Sequence, residues 1–186
     1  MKRLLALLMM LSILLCGCGM RDNASGAIDL RQKLLQGNGC SFDATVTADY
    51  QDKLFEFRMS CTASKDGSVS FTIMEPDTIA GISGKISSDE GQLIFDDQVL
   101  VFDLLTDGLV SPVSAPWLLM RALIGGYINA GGKEGELFLY EIDDSYEENP
   151  LRLDVWLDRN NNPLTADILW DGKRVVALTV ENFVLL

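Results

Sequence analysis

Residues 40–63 read CSFDATVTADYQDKLFEFRMSCTA, and their alternation decides the fold class. Successive side chains of a strand point to opposite sides, so Cys40, Phe42, Ala44, Val46, Ala48 and Tyr50 fall on one face. Ser41, Asp43, Thr45, Thr47 and Asp49 fall on the other. After a turn near residues 50–52 the alternation resumes, with Phe55, Phe57, Met59, Cys61 and Ala63 on the apolar side. Two such runs make a hairpin with one wet face and one dry face. A turn centred between Tyr50 and Gln51 would set Cys40 opposite Cys61, Phe42 opposite Met59, Val46 opposite Phe55 and Asp43 opposite Arg58. In that register Cys40 and Cys61 are a candidate disulfide, and the alternative is two buried thiols packed as small hydrophobes.

The pattern continues outward. Lys65-Asp66-Gly67 has the form of a three-residue hairpin loop with Gly67 in the left-handed position, and Val69, Phe71 and Ile73 carry the apolar face into a third strand. Short extended runs follow at 78–87, 92–96 and 99–103, broken by turns at 89–91 and 96–98. The chain ends with runs at 136–143, 151–158, 164–170 and 174–183, with turns at 158–163 and 171–173. So many alternating antiparallel strands call for a mainly β, α+β architecture: a barrel, a sandwich, or a strongly curved sheet closed by helices.

Two segments break the period of two. Residues 27–36 place Ile28, Leu30, Leu34 and Leu35 on a helical stripe that Gly37 stops. Residues 111–128 read as a second helix, with Ser114 as N-cap, Pro116 in the first turn and Gly125-Gly126 at the weak end. Between those ends the helix is apolar all round except at Arg121, which requires burial on more than one side. It is either a plug in the core of the sheet or a lid over an apolar groove. The candidate groove lining is Phe42, Val46, Phe55, Phe57, Met59 and Phe71 from the strands, with Trp117, Leu119, Met120 and Leu123 from the helix. Arg121 is a candidate helix clamp, donating to carbonyls on the opposite rim, or else it snorkels to water.

At the N-terminus Lys2 and Arg3 precede an apolar run, 4–15, that closes in Leu15-Cys16-Gly17-Cys18. This resembles a bacterial lipoprotein signal: residues 1–17 are removed and Cys18 is the lipidation site. The run is shorter than the ~20 residues that span a bilayer. Residues 18–26 then form a tether and 27–186 a single domain, anchored outside the cytoplasm by its acyl chains. The whole sequence carries a net charge of −12 and has no histidine. The first property opposes binding to nucleic acid or to anionic head groups. The second removes the commonest general base and metal ligand. No acid–base pair can be assigned from spacing, and we expect a non-catalytic protein without a cofactor. Asp158-Arg159-Asn160-Asn161-Asn162 begins like a calcium loop, but Pro163 stands where glycine is required and Leu169 where the bidentate glutamate belongs. It reads as turn chemistry, with no metal. The acidic run Asp143, Asp144, Glu147 and Glu148 reads as a solvated hairpin tip, the alternative being a surface for a cationic partner or a loosely held divalent ion.

The order of parts resembles the LolA/LolB-like lipoprotein-carrier superfamily. The resemblance rests on the N-terminal helix before the Phe42-Asp43-Ala44 strand, on Glu75-Pro76-Asp77-Thr78-Ile79-Ala80-Gly81-Ile82, and on the helix insertion at Ser111-Pro112. It also rests on Leu157-Asp158 through Pro163-Leu164, and on the late strand finishing Val180-Glu181-Asn182-Phe183. The resemblance implies a curved antiparallel half-barrel with helices across its concave side. It further implies an apolar concavity for an acyl chain or lipoprotein, or a surface for a protein partner. The soluble carrier of that superfamily lacks an anchor, whereas Cys18 would tether this chain. Lipid-anchored relatives in spore-forming bacteria support germination and cell-wall remodelling, so an envelope or cell-wall enzyme is the second class of partner.

Overall fold

The computed structural model describes residues 24–186 apart from 51, 52, 89, 97, 104, 107, 108 and 146–149. The expected signal segment, the lipidation site Cys18, the tether up to Asn23, and Glu147 and Glu148 therefore lie outside the described residues.

Helix α1 (Ser25–Gln36) starts two residues before the expected position. Its N-cap is Ala24, which offers no side-chain acceptor. The sheet supplies one instead: the Tyr140 hydroxyl accepts from the backbone N–H groups of Gly26 and Ala27, free donors of the first helical turn. Burial raises the Tyr140 pKa above the usual phenol value, against the opposing pull of those two donors, so the group stays neutral. A Cβ on Gly26 would lie 2.6 Å from the Tyr140 hydroxyl oxygen and 2.7 Å from Asn161 Oδ1, so a larger residue has to displace these side chains.

The strands are β1 (Gly39–Tyr50), β2 (Lys53–Ser64), β3 (Val69–Glu75), β4 (Ser83–Ile86), β5 (Gly91–Phe95) and β6 (Gln98–Phe102). After the short β7 (Leu105–Thr106) and β8 (Leu109–Val110) come a 3₁₀ turn (Pro112–Ser114) and helix α2 (Ala115–Gly125). The chain ends with β9 (Tyr127–Glu134), β10 (Leu137–Asp143), β11 (Arg152–Leu157), β12 (Pro163–Trp170) and β13 (Lys173–Leu185). Eleven strands form one open, curved antiparallel sheet in the order β6-β5-β4-β3-β2-β1-β13-β12-β11-β10-β9, while β7 and β8 pair separately. Two meanders thus meet where β1 pairs with β13. The expected mainly β fold is present, and one face of the sheet carries the core. Cys40, Phe42, Ala44, Val46 and Ala48 are buried, as are Met59, Cys61, Val69, Phe71, Leu153, Val155, Ile168 and Leu178.

Four local expectations are corrected. The β1–β2 register is displaced by two residues: Cys40 faces Ala63, Phe42 faces Cys61, Ala44 faces Met59 and Val46 faces Phe57. The ladder runs to Tyr50 opposite Lys53, leaving only two residues for the turn. Cys40 and Cys61 are consequently diagonal neighbours, and both are free and buried. Burial pushes the Cys40 thiol up to about 12 and the Cys61 thiol up as well, so both stay protonated at neutral pH. The run expected at 78–87 is a strand only over Ser83–Ile86, because the preceding residues turn back on β3, with Gly81 N–H donating to Ile73 O at 2.9 Å. The helix expected over 111–128 is confined to Ala115–Gly125. Tyr127 and Ile128 begin β9, an edge strand whose glycines and polar residues gave no alternation to read. Finally, Ser114 does not cap α2 with its side chain; its hydroxyl donates back to Ser111 O at 2.6 Å, inside the 3₁₀ turn.

Candidate functional site

The site begins with α2. Its sequence APWLLMRALIG is buried at Ala115 through Met120 and at Ala122 and Leu123. It packs against strands of both meanders, β2 on one side and β10 and β13 on the other. A contact fixes its register on the sheet: the Cys40 thiol lies 3.7 Å from the Met120 sulfur. At the start of the helix the Trp117 indole N–H donates to Gly67 O at 3.1 Å, in the β2–β3 loop. Gly67 has φ +82, as that loop requires. Asp66 holds the same loop by accepting from Ser68 N–H and Oγ at 2.9 and 2.7 Å, and these bonds lower its pKa.

The C-terminal end of α2 is held from α1. The guanidinium of Arg31 donates from Nε to Leu123 O at 2.7 Å and from Nη2 to Ala122 O and Gly126 O at 3.1 and 2.7 Å. These acceptors belong to the last turn and its cap, where the helix dipole favours a cation; Ala122 O also accepts from the Gly126 N–H at 2.9 Å. Gly126 lets the turn seat closely, since a Cβ there would stand 2.5 Å from Ile142 Cγ2. The clamp is therefore Arg31. The expected clamp, Arg121, points outward: it lies with its guanidinium carbon 5.4 Å from the Trp117 ring centroid and pairs with Asp144 at 3.6 Å. Sequence gave no sign of Arg31's role, because it occupies the polar flank of an amphipathic helix and its partners are more than 90 residues away.

The candidate lining comes together with one exception. Phe42, Val46, Phe57, Met59 and Phe71 from the sheet and Trp117, Leu119, Met120 and Leu123 from α2 share one buried cluster. Phe55 does not join it; near the β1–β2 turn it is 44% exposed. Under α2 these side chains are packed together and almost fully buried, as a plug requires. Beside it, between the outer flank of α2 and the β2–β3 loop, runs an open cleft of about 610 Å³. Its walls include Asp66, Lys85, Ser87, Trp117 and Arg121, a mixed and charged surface.

The lining runs on past the helix. Phe71 pairs with Gly84, Gly84 with Leu93, and Leu93 with Leu100, so these positions share the face on which α2 packs. Phe71 leans over Gly84, where a Cβ would meet its ring at 2.6 Å, and Phe102 covers Gly91 in the same way at 2.3 Å. Phe95, two residues beyond Leu93, keeps the same face. Among the described residues nothing covers the end of this wing: Leu100 is 63% and Phe95 57% exposed.

The residues of the expected calcium-like loop are engaged in turn bonds. Asp158 Oδ1 accepts from the N–H groups of Asn160 and Asn162, both at 2.8 Å, and Asn161 donates to Asp29 at 3.0 Å. In the acidic run Asp143 accepts from Asn129, and Asp144 accepts from Leu151 N–H at 2.9 Å. Among the described residues no helix is long and apolar enough to cross a membrane.

No family model matches the sequence. No curated protein matches it either. Solved structures do. A domain from Vibrio parahaemolyticus described as an outer membrane lipoprotein-sorting protein domain matches with TM-score 0.50 at 11% identity, over 88% of this chain and 92% of that one. A LolA superfamily protein from Nitrosomonas europaea matches with TM-score 0.45 at 10% identity, over 86% and 93% of the two chains. The lipoprotein LppX of Mycobacterium tuberculosis matches with TM-score 0.40 at 9% identity, over 86% and 91%. At such identities the likeness concerns the fold. What this chain shares with the Vibrio parahaemolyticus domain is thus a mainly β fold, an open, curved antiparallel sheet with two short helices.

Proposed function

We propose that this chain is a membrane-anchored, extracytoplasmic, non-catalytic protein that binds an acyl chain or the acylated end of a lipoprotein on the concave side of its sheet. The observation that carries the reading is the uncovered wing. Beyond α2 the partly buried Leu93 leads from the lining to the exposed Phe95 and Leu100, and such apolar strips on a folded protein are characteristically binding surfaces. Cys18, with Gly17 before it, supplies the anchor. Two acyl chains at ~0.8 kcal/mol per buried CH₂ hold a protein that its negative charge would otherwise keep off an anionic bilayer.

Native mass spectrometry of the chain purified from membranes tests both parts. The expected mass is that of a chain beginning at lipidated Cys18, with a further non-covalent lipid bound. Leu100→Asp should remove the second lipid while leaving the circular dichroism unchanged, because that side chain is largely in solvent already. A chain without bound lipid, or bound lipid that survives Leu100→Asp, would count against the concave wing as its site.

A further inference from the structure

The two edges of the sheet are built differently. At one edge β9 carries Asn129, Lys133 and Glu134, two adjacent glycines and a register shift against β10, the devices by which edge strands avoid pairing with other chains. At the other edge β6 reads Gln98-Val99-Leu100-Val101-Phe102 and contains no charge, no proline and no glycine. Its first four residues are exposed: Val99 is 59% and Val101 55% in solvent, on the face opposite Leu100. Ile94 on β5 adds to that opposite face beside Val99, its ladder partner. The strand is thus apolar on both sides, and among the described residues its outer backbone edge pairs with no strand, which is the surface to which an additional strand can be joined.

Charge selects the occupant. The uncharged strand lies between exposed carboxylates, Asp96 before it and Asp103 after it, with Glu90 exposed just before β5. A second copy of β6 laid antiparallel would bring its own acidic ends to these, in a chain of net charge −12, and like charges across a ladder are destabilising. A bilayer would have to take up Asp96 at the hairpin turn along with the apolar residues. We infer that β6 is a docking edge for an extended segment of another protein, apolar at its centre and flanked by Lys or Arg, which adds as a twelfth strand. Main-chain hydrogen bonds along β6 supply the affinity, and the basic flanks facing Asp96 and Asp103 supply the selection.

The experiment uses the full chain in phosphatidylcholine nanodiscs. Its probe is a fluorescent peptide of alternating valine and threonine with two lysines at each end. Saturable one-to-one binding is expected, weakened at least tenfold when the lysines are replaced by glutamates, and weakened by salt. Val99→Pro, which an edge strand tolerates but which blocks pairing, and Val101→Lys, at an exposed position, should each weaken binding at least tenfold with unchanged circular dichroism. Neither touches the concave face, so bound lipid should survive in both, and failure here leaves the lipid reading standing. The inference is overturned if the peptide does not bind, if both charge versions bind alike, or if the two variants bind as the parent does. It is also overturned if β6 is instead blocked by self-association or shielded by the bilayer.

Discussion

Leu119→Asp is expected to unfold the domain. Leu119 is 1% exposed in the middle of α2, with apolar neighbours from both the helix and the sheet. An aspartate there would have to bury an unpartnered charge or take up a proton, and either costs several kcal/mol. Against a total stability of about 5–15 kcal/mol, a loss of about 4 or more removes most of the folded population. Urea denaturation followed by far-ultraviolet circular dichroism should show the midpoint collapse, or no folded baseline at all. A variant that keeps its sheet and its midpoint would mean that α2 sits loosely, as a lid over an open groove.

Arg31→Ala should produce the next largest effect. It removes all three hydrogen bonds at the end of α2 and leaves the carbonyls of Ala122, Leu123 and Gly126 without their cation. With bonds to a charged donor worth about 1.5–3 kcal/mol each, and solvent able to replace part of them, a loss of about 2–4 kcal/mol is expected. The loss should be local. Hydrogen exchange at the amides of 119–125 should accelerate well before the sheet amides respond, which a general loosening would not produce. Arg31→Lys should recover only part, because an ammonium lacks the planar fork that spans three acceptors.

The long strands that bury one face and the apolar helix were legible because burial imposes a pattern that a sequence must keep, whereas the edge strand β9 has no such alternation. The hairpin register was not. A displacement by two residues keeps every side chain on its own face, so hydrophobic pattern cannot distinguish Cys40 opposite Cys61 from Cys40 opposite Ala63. The charge pair that supported the first register is compatible with the second, since Arg58 reaches Asp43 diagonally at 3.1 Å. The burial of Trp117, Leu119, Met120 and Leu123 was legible in a helix apolar all round, whereas the residue that holds that helix was not, because Arg31 acts through backbone atoms that carry no sequence signature. The exposed wing was equally hidden. Residues 99–103 read only as a short extended run, and the sheet order, which places β6 at an edge, shows that most of its hydrophobic side chains meet solvent.

The concave wing as the acyl-binding surface is tested most directly by photocrosslinking. A fatty acid bearing a diazirine near its methyl end, irradiated with the purified chain and mapped by peptide mass spectrometry, is predicted to label Leu93, Phe95 and Leu100 in competition with unlabelled fatty acid. Labelling confined to the charged cleft beside Trp117, or labelling that competitor does not reduce, would contradict it.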